Sequence, residues 1–142
     1  MTVIAWDGRC LAADKRAITG GGIVRTITKI ERHRDCLLAV TGGLDIGFEM
    51  REWYKAGADP ERFPVAARED KAVLVVIKSR RIFTYASGPY PMEIEAKKCA
   101  FGSGRDYAET AMYLGKSAVE AVEIACLFQS DCGNGIDVQE AW

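Results

Sequence analysis

Two hydrophobic periods run through the chain, and the switches between them mark its elements. An apolar segment, TVIAW, meets Asp7-Gly8 and continues as RCLAAD, which predicts a tight hairpin because Asp-Gly supplies the positive φ such turns require. IVRTITKI at 23–30 is a β-branched, alternating segment and reads as one strand. DCLLAVTGG at 35–43 reads as a buried strand running into a double glycine, with the charged RHR at 32–34 as the turn between the two. The period changes after Gly43: Ile46, Met50 and Trp53 share one face at helical spacing, and Gly57 is placed to close that helix in a left-handed cap. GADPERFP at 57–64 reads as a loop, AVLVVIKSRRIFTYA at 72–86 as a second hairpin turning near Ser79-Arg80, and SGPYPMEIE at 87–95 as irregular.

The last third is helical in the middle. CAFGSG at 99–104 is a short strand entering a glycine turn, RDYAETAMYL follows as a helix, and Gly115 ends it. Ser117 and Glu120 then form an S-x-x-E capping box for a second helix through Phe128, with Ala118, Val122, Ala125 and Cys126 as its apolar stripe. GIDVQEAW reads as a closing strand. Strands come in runs of hairpins rather than alternating with helices, so the pattern predicts an antiparallel α+β layered fold in a single domain spanning 1–142.

Composition excludes more than it identifies. With 49% hydrophobic residues, 27% charged residues and a net charge of −1, the chain has a globular balance and no basic footprint for nucleic acid. The longest apolar run, AVLVVI at 72–77, is too short to span a bilayer. No basic segment followed by an apolar one precedes Asp7, as a secretory leader would require. The five cysteines, Cys10, Cys36, Cys99, Cys126 and Cys132, are odd in number and contain no CxxC pair, which predicts reduced, mostly buried thiols and a cytoplasmic setting. The single histidine, His33, sits in the charged ERHRD, which argues against a metal site and against a histidine-based triad.

The chemistry that remains is at the start. A threonine that follows Met1 becomes terminal once the methionine is trimmed, and it then carries a hydroxyl and a free α-amine together. An α-amine titrates near ~8, so one residue supplies both nucleophile and base. Asp14 ends LAAD and Lys29 stands in TKI; an ammonium beside the Thr2 hydroxyl favours its alkoxide character, and a carboxylate keeps that ammonium charged. Gly42-Gly43 at a strand-to-helix turn offers backbone N–H groups to an oxyanion, and Gly102-Ser103-Gly104 offers a second turn with a hydroxyl.

Together these residues resemble the proteasome β-type and HslV-type peptidases among the N-terminal-nucleophile hydrolases, in a compact form like those of phages and bacteria. The likeness runs nearly end to end: T-x-I after Met1, LAAD at 11–14, TKI at 28–30, TGG at 41–43, FGSGRDYA at 101–108, GKSAVEAVEIA at 115–125 and CGNGIDV at 132–138. It implies a four-layer αββα sandwich. It also implies Thr2 as nucleophile, Asp14 and Lys29 as its supporting pair, Gly42 as oxyanion donor and Ser103 as assisting hydroxyl. The implied activity is threonine-type cleavage of a peptide or other amide without metal or organic cofactor, in a homo-oligomeric ring. An unfoldase partner stays open, and the alternative is a catalytically silent protein of the same fold used for assembly or binding. One stretch departs from the family's D-x-x-S-G: Gln129 stands at the aspartate position and Cys132 at the serine position, and Asp131 substitutes only if the local turn is re-aimed.

Overall fold

The computed structural model describes residues 2–141, so Met1 and Trp142 lie outside the described residues. The chain forms two compact units, one from residues 2–30 and 96–141 and one from residues 31–95.

In the first unit, β1 (Ile4–Trp6) and β2 (Cys10–Asp14) form the expected hairpin, pairing Ile4 with Ala13 and Trp6 with Leu11. Gly8 takes φ 95°, and Asp7 Oδ1 accepts the N–H groups of Arg9 and Cys10 at 2.8 Å each, which closes the turn. β3 (Arg16–Thr19) and β4 (Ile23–Thr26) form a separate ribbon turning through Gly20–Gly22. The expected single strand over 23–30 is therefore incorrect: pairing stops at Thr26, opposite Arg16, and the backbone of 27–29 leaves the ribbon. β-branched alternation specifies an extended backbone but not where its partner ends.

Later elements complete the unit's main sheet, whose order is β10-β1-β2-β11, with β10 at Cys99–Phe101 and β11 at Ile136–Glu140. Period-two alternation sends Val3, Ala5, Ala12 and Ala100 to one face, where they pack on Ala108, Ala111 and Met112 of α2 (Arg105–Tyr113) and on Ala118, Ala121, Val122 and Ala125 of α3 (Ala118–Phe128). The abundance of alanine lets these helices lie close on the sheet. At Gly104, just before α2, even a Cβ would come within 2.8 Å of Val3 Cβ. α3 starts as its sequence indicates: Ser117 Oγ accepts the Glu120 N–H at 3.2 Å, and Glu120 Oε1 accepts the Ser117 N–H at 3.0 Å. A further cap comes from far away in sequence, because Asp7 Oδ2 accepts the Ala118 N–H at 2.8 Å.

The second unit is a five-stranded sheet, β5-β6-β7-β8-β9, backed by α1 (Leu44–Lys55). β5 (Ile30–His33) opens it and β6 (Cys36–Gly42) follows; the turn between them lies at Arg34–Asp35, two residues beyond the start of the expected RHR turn, with Arg34 in the left-handed region at φ 55°. β7 (Ala72–Lys78) and β8 (Arg81–Tyr85) form the second hairpin, and Ser79 and Arg80 both take positive φ, as a tight two-residue turn demands. The stretch at 87–95 is not wholly irregular: β9 (Met92–Ile94) pairs Ile94 with Ile82, and Glu93 binds Arg81 across the strands at 2.6 and 2.8 Å. The apolar period there is only three residues long and follows a proline, too short to signal a strand.

Leu38, Val40, Leu74 and Val76 meet Met50 and Trp53 of α1, and the Trp53 ring stands edge-on to Phe63 at 5.0 Å and to Tyr85 at 5.2 Å. Tyr85 is thus a core residue. Gly57 closes α1 as expected, its N–H donating to Tyr54 O while the Ala58 N–H reaches back to Trp53 O. The architecture is mixed α+β, with antiparallel sheets and three α-helices among the described residues.

Candidate active site

Thr2, Asp14, Lys29 and Ser103 all belong to the first unit, and the fold brings them together. Asp14 is the last residue of β2 and Thr2 precedes β1, so hairpin register sets them side by side: the Val3 N–H donates to Asp14 Oδ1 at 3.0 Å while the Asp14 N–H donates to Val3 O. Lys29 arrives from the break after β4. Freed from ladder pairing, it turns into the interior and donates from Nζ to Asp14 Oδ1 at 2.8 Å and to Thr2 Oγ1 at 3.2 Å.

Thr2, Asp14 and Lys29 are each completely buried. A buried ion pair persists only when the remaining hydrogen-bonding capacity is satisfied. Asp14 meets that condition: Oδ1 accepts from Val3 N–H and Lys29 Nζ, and Oδ2 accepts from the Arg16 and Gly133 N–H groups at 3.1 Å each. The carboxylate has no freedom to turn away, and the ammonium it holds is aimed at the threonine hydroxyl.

Ser103 follows β10 in the glycine turn before α2. Its Oγ accepts the Thr2 N–H at 3.2 Å, and the neighbouring Gly104 N–H donates to Thr2 O at 3.1 Å. Ser103 Oγ in turn lies 3.1 Å from Asp131 Oδ1. Asp131 therefore reaches the cluster, although it stands two positions after Gln129, where the resemblance placed the acidic residue. The Asp131 carboxyl lies below its usual range: burial raises it, and a hydrogen bond from the Gln129 side chain leads the effects that lower it, with a smaller one from the Ser103 hydroxyl. Cys132 is buried, and desolvation together with the charge of Asp14 pushes its thiol up to about 12, so it stands there as a neutral thiol 3.9 Å from Ser103 Oγ.

Arg16 and Gly133 escaped the sequence reading. The Arg16 guanidinium donates to Asn134 Oδ1 at 2.8 Å and to Ser130 O at 2.7 Å, spanning the turn that carries Asp131. A Cβ on Gly133 would lie 2.7 Å from Arg16 Nη2, so only glycine lets the guanidinium lie flat on the turn. The signal available in sequence was CGNG itself, whose Gly133, Asn134 and Gly135 all take positive φ.

Gly42, the remaining expected site residue, belongs to the second unit. It ends β6 at φ 86°, and a Cβ there would fall 2.6 Å from Lys71 O. Its neighbour Gly43 has already committed its N–H to Lys71 O at 2.7 Å, which removes one of the two donors expected at this turn.

Among the described residues, no group of three or more His, Cys, Asp or Glu side chains is arranged to hold a metal ion, and no helix is long and apolar enough to cross a membrane.

No family model and no curated protein matches the chain by sequence. Solved structures do match, along its whole length. Thiobacillus denitrificans BPH in complex with epoxomicin shares 25% identity at a TM-score of 0.73, covering 100% of both chains. A structure of Thiobacillus denitrificans BPH shares 24% identity at a TM-score of 0.71, covering 100% of this chain and 99% of the other. Eukaryotic HslV from Trypanosoma brucei shares 19% identity at a TM-score of 0.77, covering 99% of this chain and 98% of the other. The structures that this chain matches from end to end, an HslV among them, bear out its resemblance to the proteasome β-type and HslV-type family.

Proposed function

We propose that the protein is a threonine-type peptidase or amidohydrolase whose nucleophile is Thr2, exposed by cleavage of the bond after Met1. The observation that supports this most directly is the 3.2 Å contact between Lys29 Nζ and Thr2 Oγ1, held by a fully buried Asp14. Asp14 takes one of the three ammonium donors of Lys29, and another is aimed at the threonine hydroxyl. This supplies what a hydroxyl nucleophile lacks: a fixed positive charge beside the oxygen that must lose a proton.

In this reading the free α-amine of Thr2 takes the Oγ1 proton as Oγ1 attacks the amide carbonyl. Lys29 stabilises the developing negative charge on Oγ1, and Gly42 keeps the role of N–H donor to the carbonyl oxygen that the family resemblance assigns it. The amine then passes its proton to the leaving nitrogen, the C–N bond breaks, and an ester to Thr2 remains. Water, deprotonated by the same amine, hydrolyses that ester and restores the hydroxyl. The four-layer αββα arrangement, a single domain and a homo-oligomeric ring belong to the same proposal.

Intact mass and the N-terminal sequence of the purified protein test the first step, which requires Thr2 as the first residue. Turnover of a fluorogenic peptide amide by wild type and Thr2→Ala tests the second. Loss of several orders of magnitude in kcat/KM is expected. Equal turnover by both proteins would overturn the catalytic reading in favour of an assembly or binding protein, as would absence of turnover by a correctly processed wild type.

A further inference from the structure

Residues 27 and 28 lead the chain from the β3–β4 ribbon to Lys29, and no ladder holds them: β4 ends at Thr26, opposite Arg16. Lys15 binds both. The Ile27 N–H donates to Lys15 O at 2.8 Å, and Lys15 Nζ donates to Thr28 Oγ1 at 3.0 Å. A side chain that grips the residue just before Lys29 fixes where the lysine side chain begins, as Asp14 fixes where it ends.

Lys15 is itself held. Its N–H donates to Gly133 O at 2.9 Å, and its ammonium pairs with Asp137 Oδ2 at 2.8 Å. Asp137 lies in β11 opposite Ala13 of β2, so this carboxylate stands on a paired strand. The two side chains are 22% and 28% exposed, which shields the pair from the screening that weakens a fully exposed one. An ammonium has three donors, and Asp137 and Thr28 take two of them without competing. A tether thus runs from β11 through Asp137 and Lys15 to Thr28 and ends one residue short of Lys29.

The ion pair of Lys29 with Asp14 is short, at 2.8 Å, and charged on both sides; the bond to Thr2 Oγ1, at 3.2 Å, is the weaker of the two. A shift at the base of the Lys29 side chain therefore falls on the weaker bond, the one that faces the nucleophile. We propose that Lys15, paired with Asp137, is a positioning residue for the Lys29 ammonium, acting through Thr28. The proposal rests on the threonine-nucleophile reading. Loosening the tether leaves the buried ion pair in place and lowers kcat, because Lys29 no longer meets Thr2 Oγ1 at a fixed distance.

The test uses processed protein with Thr2 confirmed as the first residue. Wild type, Lys15→Met, Thr28→Val, Thr28→Ser, Asp137→Asn and Thr2→Ala are compared in two measurements: kcat and KM on a peptide amide, and the Lys29 side-chain signal by NMR on lysine-labelled protein without substrate. Thr28→Val keeps the side-chain shape and the Lys15–Asp137 pair and removes only the acceptor, so it decides the matter even where Lys15→Met folds poorly. Thr28→Val is expected to lower kcat about fivefold and Lys15→Met about tenfold, with KM unchanged and the Lys29 signal shifted or broadened in both. Asp137→Asn is expected to move both readouts in the same direction, and Thr28→Ser, which restores the hydroxyl, to return them to wild type. A variant that only weakens the fold lowers the melting temperature without moving the Lys29 signal. Unchanged kcat and an unchanged Lys29 signal in Thr28→Val, with Thr2→Ala inactive, overturn the tether and leave the nucleophile standing. A loss in Thr28→Val that Thr28→Ser fails to restore also overturns it. Activity in Thr2→Ala overturns both readings.

Discussion

Lys29 Nζ sits 3.2 Å from Thr2 Oγ1 and 2.8 Å from Asp14 Oδ1, with all three residues sealed from solvent. This one lysine couples stability to reactivity. Truncating it to methionine leaves Asp14 buried with three backbone N–H donors but no counter-charge. Loss of one partner of a buried pair costs about 3–5 kcal/mol. Lys29→Met is therefore expected to lower the urea midpoint markedly as well as to abolish turnover. An unaltered midpoint would show that the backbone donors alone satisfy Asp14.

The double variant Asp14→Asn/Lys29→Met separates the two effects. With both charges gone, much of the stability is expected to return, since an apolar replacement of a buried ion pair is often neutral or better. Activity is expected to stay absent, because no ammonium faces Thr2 Oγ1. Denaturation curves and peptide hydrolysis on the same preparations check this, and recovered turnover in the double variant would remove Lys29 from the mechanism.

Asp7 ties the first hairpin to α3. Burial pushes its carboxyl up, but the N–H groups of Cys10, Ala118 and Arg9 outweigh burial and hold it below the usual carboxylate range. A group with a lowered pKa in the fold contributes stability that is complete above the unfolded pKa and is lost as pH falls through the folded one. Asp7→Ala, which removes the cap on Ala118 and both turn bonds, is expected to cost about 1–2 kcal/mol at neutral pH. The gap between wild type and variant should shrink below about pH 4. Thermal melts across pH 3 to 7 give the answer, and a gap independent of pH would mean the charge of Asp7 is irrelevant.

Gly42 offers a contrast within a single turn. A Cβ there meets Lys71 O at 2.6 Å with the backbone at φ 86°, whereas at Gly43 the same atom is 3.3 Å away and φ is −66°. Gly42→Ala is expected to destabilise by more than about 1 kcal/mol, from the left-handed penalty alone, and Gly43→Ala by less. Equal melting temperatures for the two variants would contradict this.

The candidate site was legible in sequence where a short motif fixes both backbone and chemistry. LAAD ends a strand on its acidic residue, and FGSG places a hydroxyl on a glycine turn at a helix start. Less was legible where a third segment decides. Nothing local in RAIT says that it pairs with IVRT across the three glycines between them. The strand break that turns Lys29 inward follows from that pairing, so the position of the ammonium was expected while its cause was not. Asp131 was legible only as a conditional substitute for a related reason: the aim of its turn depends on Arg16, from more than a hundred positions earlier in the chain.

The final expectation concerns association. α2 and α3 leave Tyr113, Leu114, Leu127 and Phe128 exposed by 65% or more, and Tyr107 stacks on Phe128 with ring centroids 5.5 Å apart. Single exposed apolar side chains are ordinary, but a run of this size on one helix pair is what a protein contact surface presents. The homo-oligomer in the proposed function gives these side chains an occupant, a second copy of the chain. Leu127→Asp and Phe128→Asp together remove two of them without touching the helix caps or the Thr2 cluster. Light scattering coupled to size exclusion is expected to show wild type well above the chain mass of 15.6 kDa and the double variant at lower mass. A wild type that elutes as a monomer at micromolar concentration removes the ring from the proposal, and an oligomer unaffected by the double variant moves the contact to another surface.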